Sequence, residues 1–229
     1  MISTVVSLAP RWHTALLVSF LLTVAALGTW LTLHGDAIAT QTPAGSRIVA
    51  LYLPTLLVEW SLALYVIRIG RPKSALGDLL GARWTTPRRA MEDLGFAVAL
   101  FLFIEASEAI YAYVFGSRPS AAVLALLPHS PLERAAWVVL ATSVGFCEEV
   151  VYRGYLSVQI AAFSRSRAIG VVAQAVLFGL AHGQQGATTV VRFMVYGIAF
   201  GVVAAGRKSL LPGIVCHAAI DLSSGLLHQ

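Results

Sequence analysis

Glu148 and Glu149 sit side by side in an almost unbroken apolar stretch from Ala135 to Ile160, and Arg153 follows about one helical turn later. Two further apolar segments each carry a histidine, in Phe178-Gly-Leu-Ala-His182 and in His217-Ala-Ala-Ile-Asp221. Ionisable groups at membrane depth are costly and therefore mark function. A glutamate and a histidine in one water-containing pocket can hold a water molecule and take its proton. A second histidine can donate to the oxyanion formed when that water attacks an amide. On this reading Glu148 is the general base, His182 positions the water, His217 polarises the carbonyl and Asp221 orients the His217 imidazole. Glu149 and Arg153, four residues apart, form a supporting ion pair. Phe178, one turn before His182, is a packing residue.

The same donors allow a metal-assisted version, with Glu148, His182 and His217 as three zinc ligands and an open water position. The zinc signature H-E-x-x-H is absent, and ligands drawn from three separate segments have no diagnostic spacing. No cofactor is firmly indicated: water activated by glutamate is the preferred chemistry and zinc the alternative. Cys147 and Cys216 each directly precede a site residue. On an ideal helix they point about 100° away from it, which argues against a cysteine nucleophile. No G-x-S-x-G elbow is present. Glu59, Glu105 and Glu108 stay outside the catalytic set; they either line a water path or pair with Arg192 and tyrosines.

The elements that must carry these groups follow from composition. The chain has 229 residues, 58% hydrophobic and 12% charged, with mean hydropathy +0.78. A soluble domain carries about 25% charged residues. The excess of apolar side chains must face lipid, which predicts an all-α polytopic transmembrane helix bundle. Seven spans are expected: His13–Leu33, Ile48–Ile69, Leu94–Phe115, Leu132–Phe163, Ala168–His182, Thr188–Gly206 and Leu210–Leu227. The fourth is long and the fifth short. Ala121–Leu127 reads as a short extra or re-entrant helix, which would make eight. The first run is longer than a signal-peptide core and reads as a retained helix. Arg71 to Arg89 reads as interfacial. Small residues near the polar groups, among them Gly145, Gly179 and Ala218, would let helices approach closely.

A cytoplasmic N-terminus puts Arg11, Arg68, Arg71, Lys73, Arg83, Arg88, Arg89, Arg165, Arg167, Arg207 and Lys208 on the inner side. Only Arg47, Arg118 and Arg134 then fall outside, a clear positive-inside bias. The formal charge of +5 therefore belongs to loops beside a membrane and does not suggest nucleic-acid binding. The chain divides into N-terminal helices with a basic loop (1–130) and a C-terminal part holding the polar motifs (131–229).

The sequence Glu148-Glu149-Val-Val-Tyr-Arg153, then Phe178-x-x-x-His182, then His217-x-x-x-Asp221 resembles the CPBP intramembrane protease family. That family includes the type II CAAX prenyl proteases and bacterial Abi proteins. The likeness runs from about Pro131 to Gly225. It implies a membrane helix bundle, endopeptidase activity within the membrane, and catalytic roles at Glu148, His182, His217 and Asp221. The prenyl-protease branch typically has Asn where this chain has Asp221. An amide donates to an oxyanion and an ionised carboxylate does not, so Asp221 accepts from His217 or carries a proton. The expected function is hydrolysis of a peptide bond in a membrane-associated or lipid-anchored peptide, with the lipid bilayer and a peptide or protein as partners. A non-catalytic peptide-binding protein of the bacteriocin-immunity type and a proton-coupled transporter are the alternatives. An Ala- and Arg-rich chain fits a bacterial inner membrane; substrate identity and oligomeric state are not legible.

Overall fold

Strong local signals start the helices. Ser130 caps one by accepting from the Glu133 amide while the Glu133 carboxylate reaches back to the Ser130 amide, with Pro131 in the first turn. Thr86 followed by Pro87, and Ser166 accepting from the Ile169 amide, open two more. Gly116, Arg165 and Lys208 end helices in the left-handed conformation.

The computed structural model describes residues 7–34, 46–69, 75–81, 83–116 and 121–227. Its helices are α1 (Arg11–His34), α2 (Leu53–Ile69), α3 (Ala75–Leu80), α4 (Pro87–Phe115), α5 (Ala121–Leu126), α6 (Pro131–Glu148), α7 (Ser157–Ser164), α8 (Arg167–Ala181), α9 (Ala187–Arg207) and α10 (Leu211–Leu226). Wide, π-type segments lead into two of them: Ile48–Tyr52 into α2, and Glu149–Leu156 joining α6 to α7. Each of the seven expected spans is helical, and the described residues form no strand beyond an isolated bridge between Gly81 and Ser209.

Among the described residues five rods have the length and apolarity to cross a membrane: Arg11–His34, Ile48–Arg68, Pro87–Phe115, Pro131–Ser164 and Ala187–Arg207. The rod Pro131–Ser164, at 34 residues, would be about 50 Å long as a straight α-helix, well beyond the ~30 Å hydrocarbon core. By contrast α8 and α10, at 15 and 16 residues, reach only about 23 Å. Those two short helices are the carriers of His182 and His217. The expected extra helix is present as α5, and the basic segment between the second and third spans contains α3. Arg71, Lys73 and Arg118 lie outside the described residues.

Contacts at the two ends fix the up-and-down order. At one end Gln159 of α7 accepts from the Leu8 amide (2.7 Å) and donates to the Ala9 carbonyl (2.5 Å), while Thr14 of α1 meets the Tyr155 hydroxyl at 3.1 Å. Arg207, closing α9, pairs at the same end with Asp93 (2.9 Å) and Glu92 (3.1 Å) at the start of α4. At the other end Arg47 donates to the Ala125 carbonyl and Tyr52 to the Leu126 carbonyl, tying α5 to the start of α2. Every residue of Glu149–Leu156 is buried, so this wide segment is the axis of the bundle. Leu17, Leu21 and Val66 pack on it from α1 and α2. A second core joins Leu100 and Ile104 of α4 to Tyr196, Phe200 and Cys216. Exposed Leu57, Leu102, Val191 and Val202 leave an apolar outer face, as lipid contact requires.

Candidate active site

Close packing of α6 on α10 brings the acidic pair to the histidine. A Cβ on Gly145 would lie 2.8 Å from the Ala218 backbone nitrogen, so only glycine permits this approach. One turn further along the rod the winding widens; the Ser157 amide donates to the Tyr152 carbonyl, five residues back. Such π-type turns occur frequently at functional sites. Here the turn turns both Glu149 and Arg153 inward, each with a fully enclosed side chain.

Glu149 Oε1 lies 2.8 Å from Arg153 Nη1 and 3.4 Å from His217 Nδ1. Its Oε2 is buried without a hydrogen-bond partner, beneath Gly213, where a Cβ would come within 2.5 Å. The Arg153 guanidinium lies over the rings of Phe178 (4.2 Å to centroid) and Phe200 (5.0 Å), contacts in which a desolvated cation gains from the ring quadrupole. On the opposite edge of the imidazole, His217 Nε2 faces Glu148 Oε2 at 3.5 Å and Asp221 Oδ2 at 3.8 Å. Three carboxyl groups thus surround one buried histidine. Phe178 and Phe200 flank its ring at 6.1 and 5.6 Å.

His182 ends α8. Its Nδ1 lies 2.8 Å from the Phe178 carbonyl, and its ring stacks on Phe193 at 3.9 Å with an interplanar angle of 12°. A carbonyl only accepts, so Nδ1 carries the proton and the neutral ring presents a lone pair at Nε2. Phe178 touches both histidine rings, at 4.8 Å from His182, and so spaces them apart.

Glu148, Tyr152, His182, His217 and Asp221 all line one cavity of about 1380 Å³. That exceeds the roughly 300–1,000 Å³ of a small-molecule pocket and suits a length of polypeptide. Glu59 of α2 and Glu105 and Glu108 of α4 also line it. Glu108 is paired: Arg192 Nη1 lies 2.7 Å and the Tyr196 hydroxyl 2.8 Å from its two oxygens.

The expected residues therefore divide. Glu148, His217 and Asp221 converge, while His182 faces the same cavity from across Phe178. Glu149 was expected to serve Arg153 alone, yet it also faces His217. Phe193 and Phe200 were not singled out from sequence: aromatic residues in an apolar helix carry no signal separating a ring support from lipid-facing packing. Among the described residues no three His, Cys, Asp or Glu side chains converge closely enough to hold a metal ion, so Glu148, His182 and His217 as placed do not form a zinc site. Cys147 and Cys216 are buried and unbridged.

No curated protein and no solved structure matches the chain. Residues 130–223, about two-fifths of the chain and the stretch holding every side chain from Glu148 to Asp221, match the protease family described as type II CAAX prenyl endopeptidase Rce1-like, and it is to this family that the site is similar.

Proposed function

We propose that this integral membrane protein is an endopeptidase that hydrolyses a peptide bond of a membrane-associated or lipid-anchored substrate with glutamate-activated water. The observation that carries the reading is the grouping of Glu148 and Asp221 about His217 Nε2, on the wall of a cavity that His182 also lines. Glu148 takes the proton of a water whose second hydrogen His182 Nε2 accepts. His217, anchored through Nδ1 by Glu149, turns Nε2 towards the developing oxyanion and afterwards hands a proton to the leaving amine, and Glu148 then passes the proton it took from water to His217 Nε2. Asp221 holds that ring edge in place. Arg153, 2.8 Å from Glu149, holds that carboxyl group in line with His217 and does not touch substrate. The Ala- and Arg-rich composition fits a bacterial inner membrane, and the positive-inside bias favours an N-terminus in the cytoplasm.

The test is a terminus-selective proteomic comparison of membranes carrying the wild type or Glu148→Gln, with both forms expressed equally. New peptide termini present only with the wild type are expected, and they name the substrates. Identical terminus profiles would instead leave a peptide-binding protein without hydrolytic activity.

A further inference from the structure

Tyr152 belongs to the wide segment Glu149–Leu156 and lies nearly one turn beyond Glu148. The residue is buried, only 4% exposed, yet it lines the large cavity. Among the described residues no group hydrogen-bonds its hydroxyl, and that oxygen is not sealed in as the orphaned nitrogens of Arg153 are. The hydroxyl therefore opens on the cavity. A buried phenol ordinarily finds a partner for its O–H, as Tyr52 does at the Leu126 carbonyl and Tyr196 at Glu108. The O–H of Tyr152 is left for something that enters.

The Phe178 ring fixes where that donor stands. Tyr152 meets it edge-on at 5.2 Å, His182 lies at 4.8 Å and His217 at 6.1 Å, all between ring centroids. One phenyl ring thus gathers a hydroxyl and two imidazoles, and all three line the same cavity. Other donors on its wall are engaged: Arg192 and Tyr196 by Glu108, Trp137 by the Asp221 carbonyl, Ser224 by the Ile220 carbonyl. Beside His217 Nε2, the Asp221 carboxyl group at 3.8 Å accepts and, when ionised, does not donate. That leaves a single imidazole N–H for the oxyanion, whereas acyl-transfer sites hold the tetrahedral intermediate with preorganised donors in pairs.

From this geometry we propose that the Tyr152 hydroxyl is the second oxyanion donor, a role that rests on the hydrolytic reading above. The water oxygen attacks the carbonyl carbon, its proton passes to Glu148, and the C=O π pair moves onto the carbonyl oxygen. Tyr152 O–H and His217 Nε2–H donate to that oxygen. When the carbonyl re-forms, the C–N bond breaks and its electron pair leaves with nitrogen, which takes the His217 proton. Tyr152 keeps its own proton throughout. Because its hydroxyl is bound to no protein group beforehand, no hydrogen bond within the protein is broken when it turns to the oxyanion.

The experiment uses the full chain in reconstituted vesicles and one peptide that the wild type cleaves. Tyr152→Phe removes one oxygen, keeps the ring against Phe178 and strands no partner. It should lower kcat about a hundredfold, the usual effect of deleting one oxyanion donor, and leave KM and Tm where they are. Tyr152→Phe/Asp221→Asn puts an amide donor beside His217 while the side-chain carbonyl still accepts. It should regain about tenfold over Tyr152→Phe alone, part of the loss of one donor. An unchanged kcat for Tyr152→Phe overturns the proposal while the hydrolytic reading stands. So does a rise in KM alone, a loss of rate matched by a fall in Tm, or a double variant no faster than Tyr152→Phe. If the terminus comparison yields no peptide that the wild type cleaves, the hydrolytic reading falls first and the role of Tyr152 falls with it.

Discussion

At the scale of single residues, the informative group is the buried pair Glu149–Arg153, because it combines support with a contact to His217. Arg153→Ala leaves a carboxylate enclosed without its partner and should cost about 3–5 kcal/mol, measured as a lowered denaturation midpoint in detergent. Replacing the pair with apolar residues of similar size, Glu149→Leu/Arg153→Met, should recover most of that stability, since such swaps are often neutral. It still removes the acceptor from His217 Nδ1, so the folded double variant should produce none of the termini the wild type produces. A stable, fully active double variant would reduce the pair to scaffolding. The grouping of Glu148, His217 and Asp221 was legible because these polar residues interrupt apolar runs at comparable depth, and His217 and Asp221 share a helical face. The contact between Glu149 and His217 was not legible. It depends on how α10 is rotated against α6, which long-range packing decides.

At the scale of elements, that rotation rests on Gly145 and on the wide turn that follows it. Gly145→Leu would push α10 away by way of the Ala218 backbone. It should cost about 1–3 kcal/mol as overpacking and should separate Glu148 from His217. The expected outcome is a modest fall in thermal stability with a disproportionate loss of hydrolysis. Gly95→Leu on α4, where an added Cβ meets nothing within 4 Å, is the control that should change neither. Hydropathy located all seven spans and the short α5, because apolar length and capping residues are written locally. It could not reveal the widened winding of Glu149–Leu156, since a π-type turn changes hydrogen-bond register and not composition. The long fourth span was the available hint: a rod of 34 residues exceeds what a membrane needs.

At the scale of the whole molecule, the ion pairs of Arg207 with Glu92 and Asp93, together with the Gln159 contacts, gather one set of helix ends at one face. Arg11, Arg165, Arg207 and Lys208 lie at that face, and the positive-inside bias predicts that it is the cytoplasmic one. Cysteine introduced at Arg89 should be protected from an impermeant maleimide in intact cells, and cysteine introduced at Leu227 should react. Cys147 and Cys216, at 0% and 1% exposure, should stay silent in both. The reverse pattern would invert the orientation. The large cavity has a further consequence for the physics of the reaction. At ~30 Å³ per molecule its 1380 Å³ has room for on the order of forty-five waters, a small aqueous reservoir between lipid-facing helices. Substrate entry must empty much of it, and catalysis must keep at least one molecule behind. Hydrolysis should therefore respond to osmotic stress: large excluded polymers that draw water out of the cavity should favour substrate binding at low stress, then slow turnover once the reacting water itself is withdrawn. A rate that rises and then falls with polymer concentration, followed on one cleaved peptide in reconstituted vesicles, would identify hydration as a variable this protein must regulate as closely as any side chain.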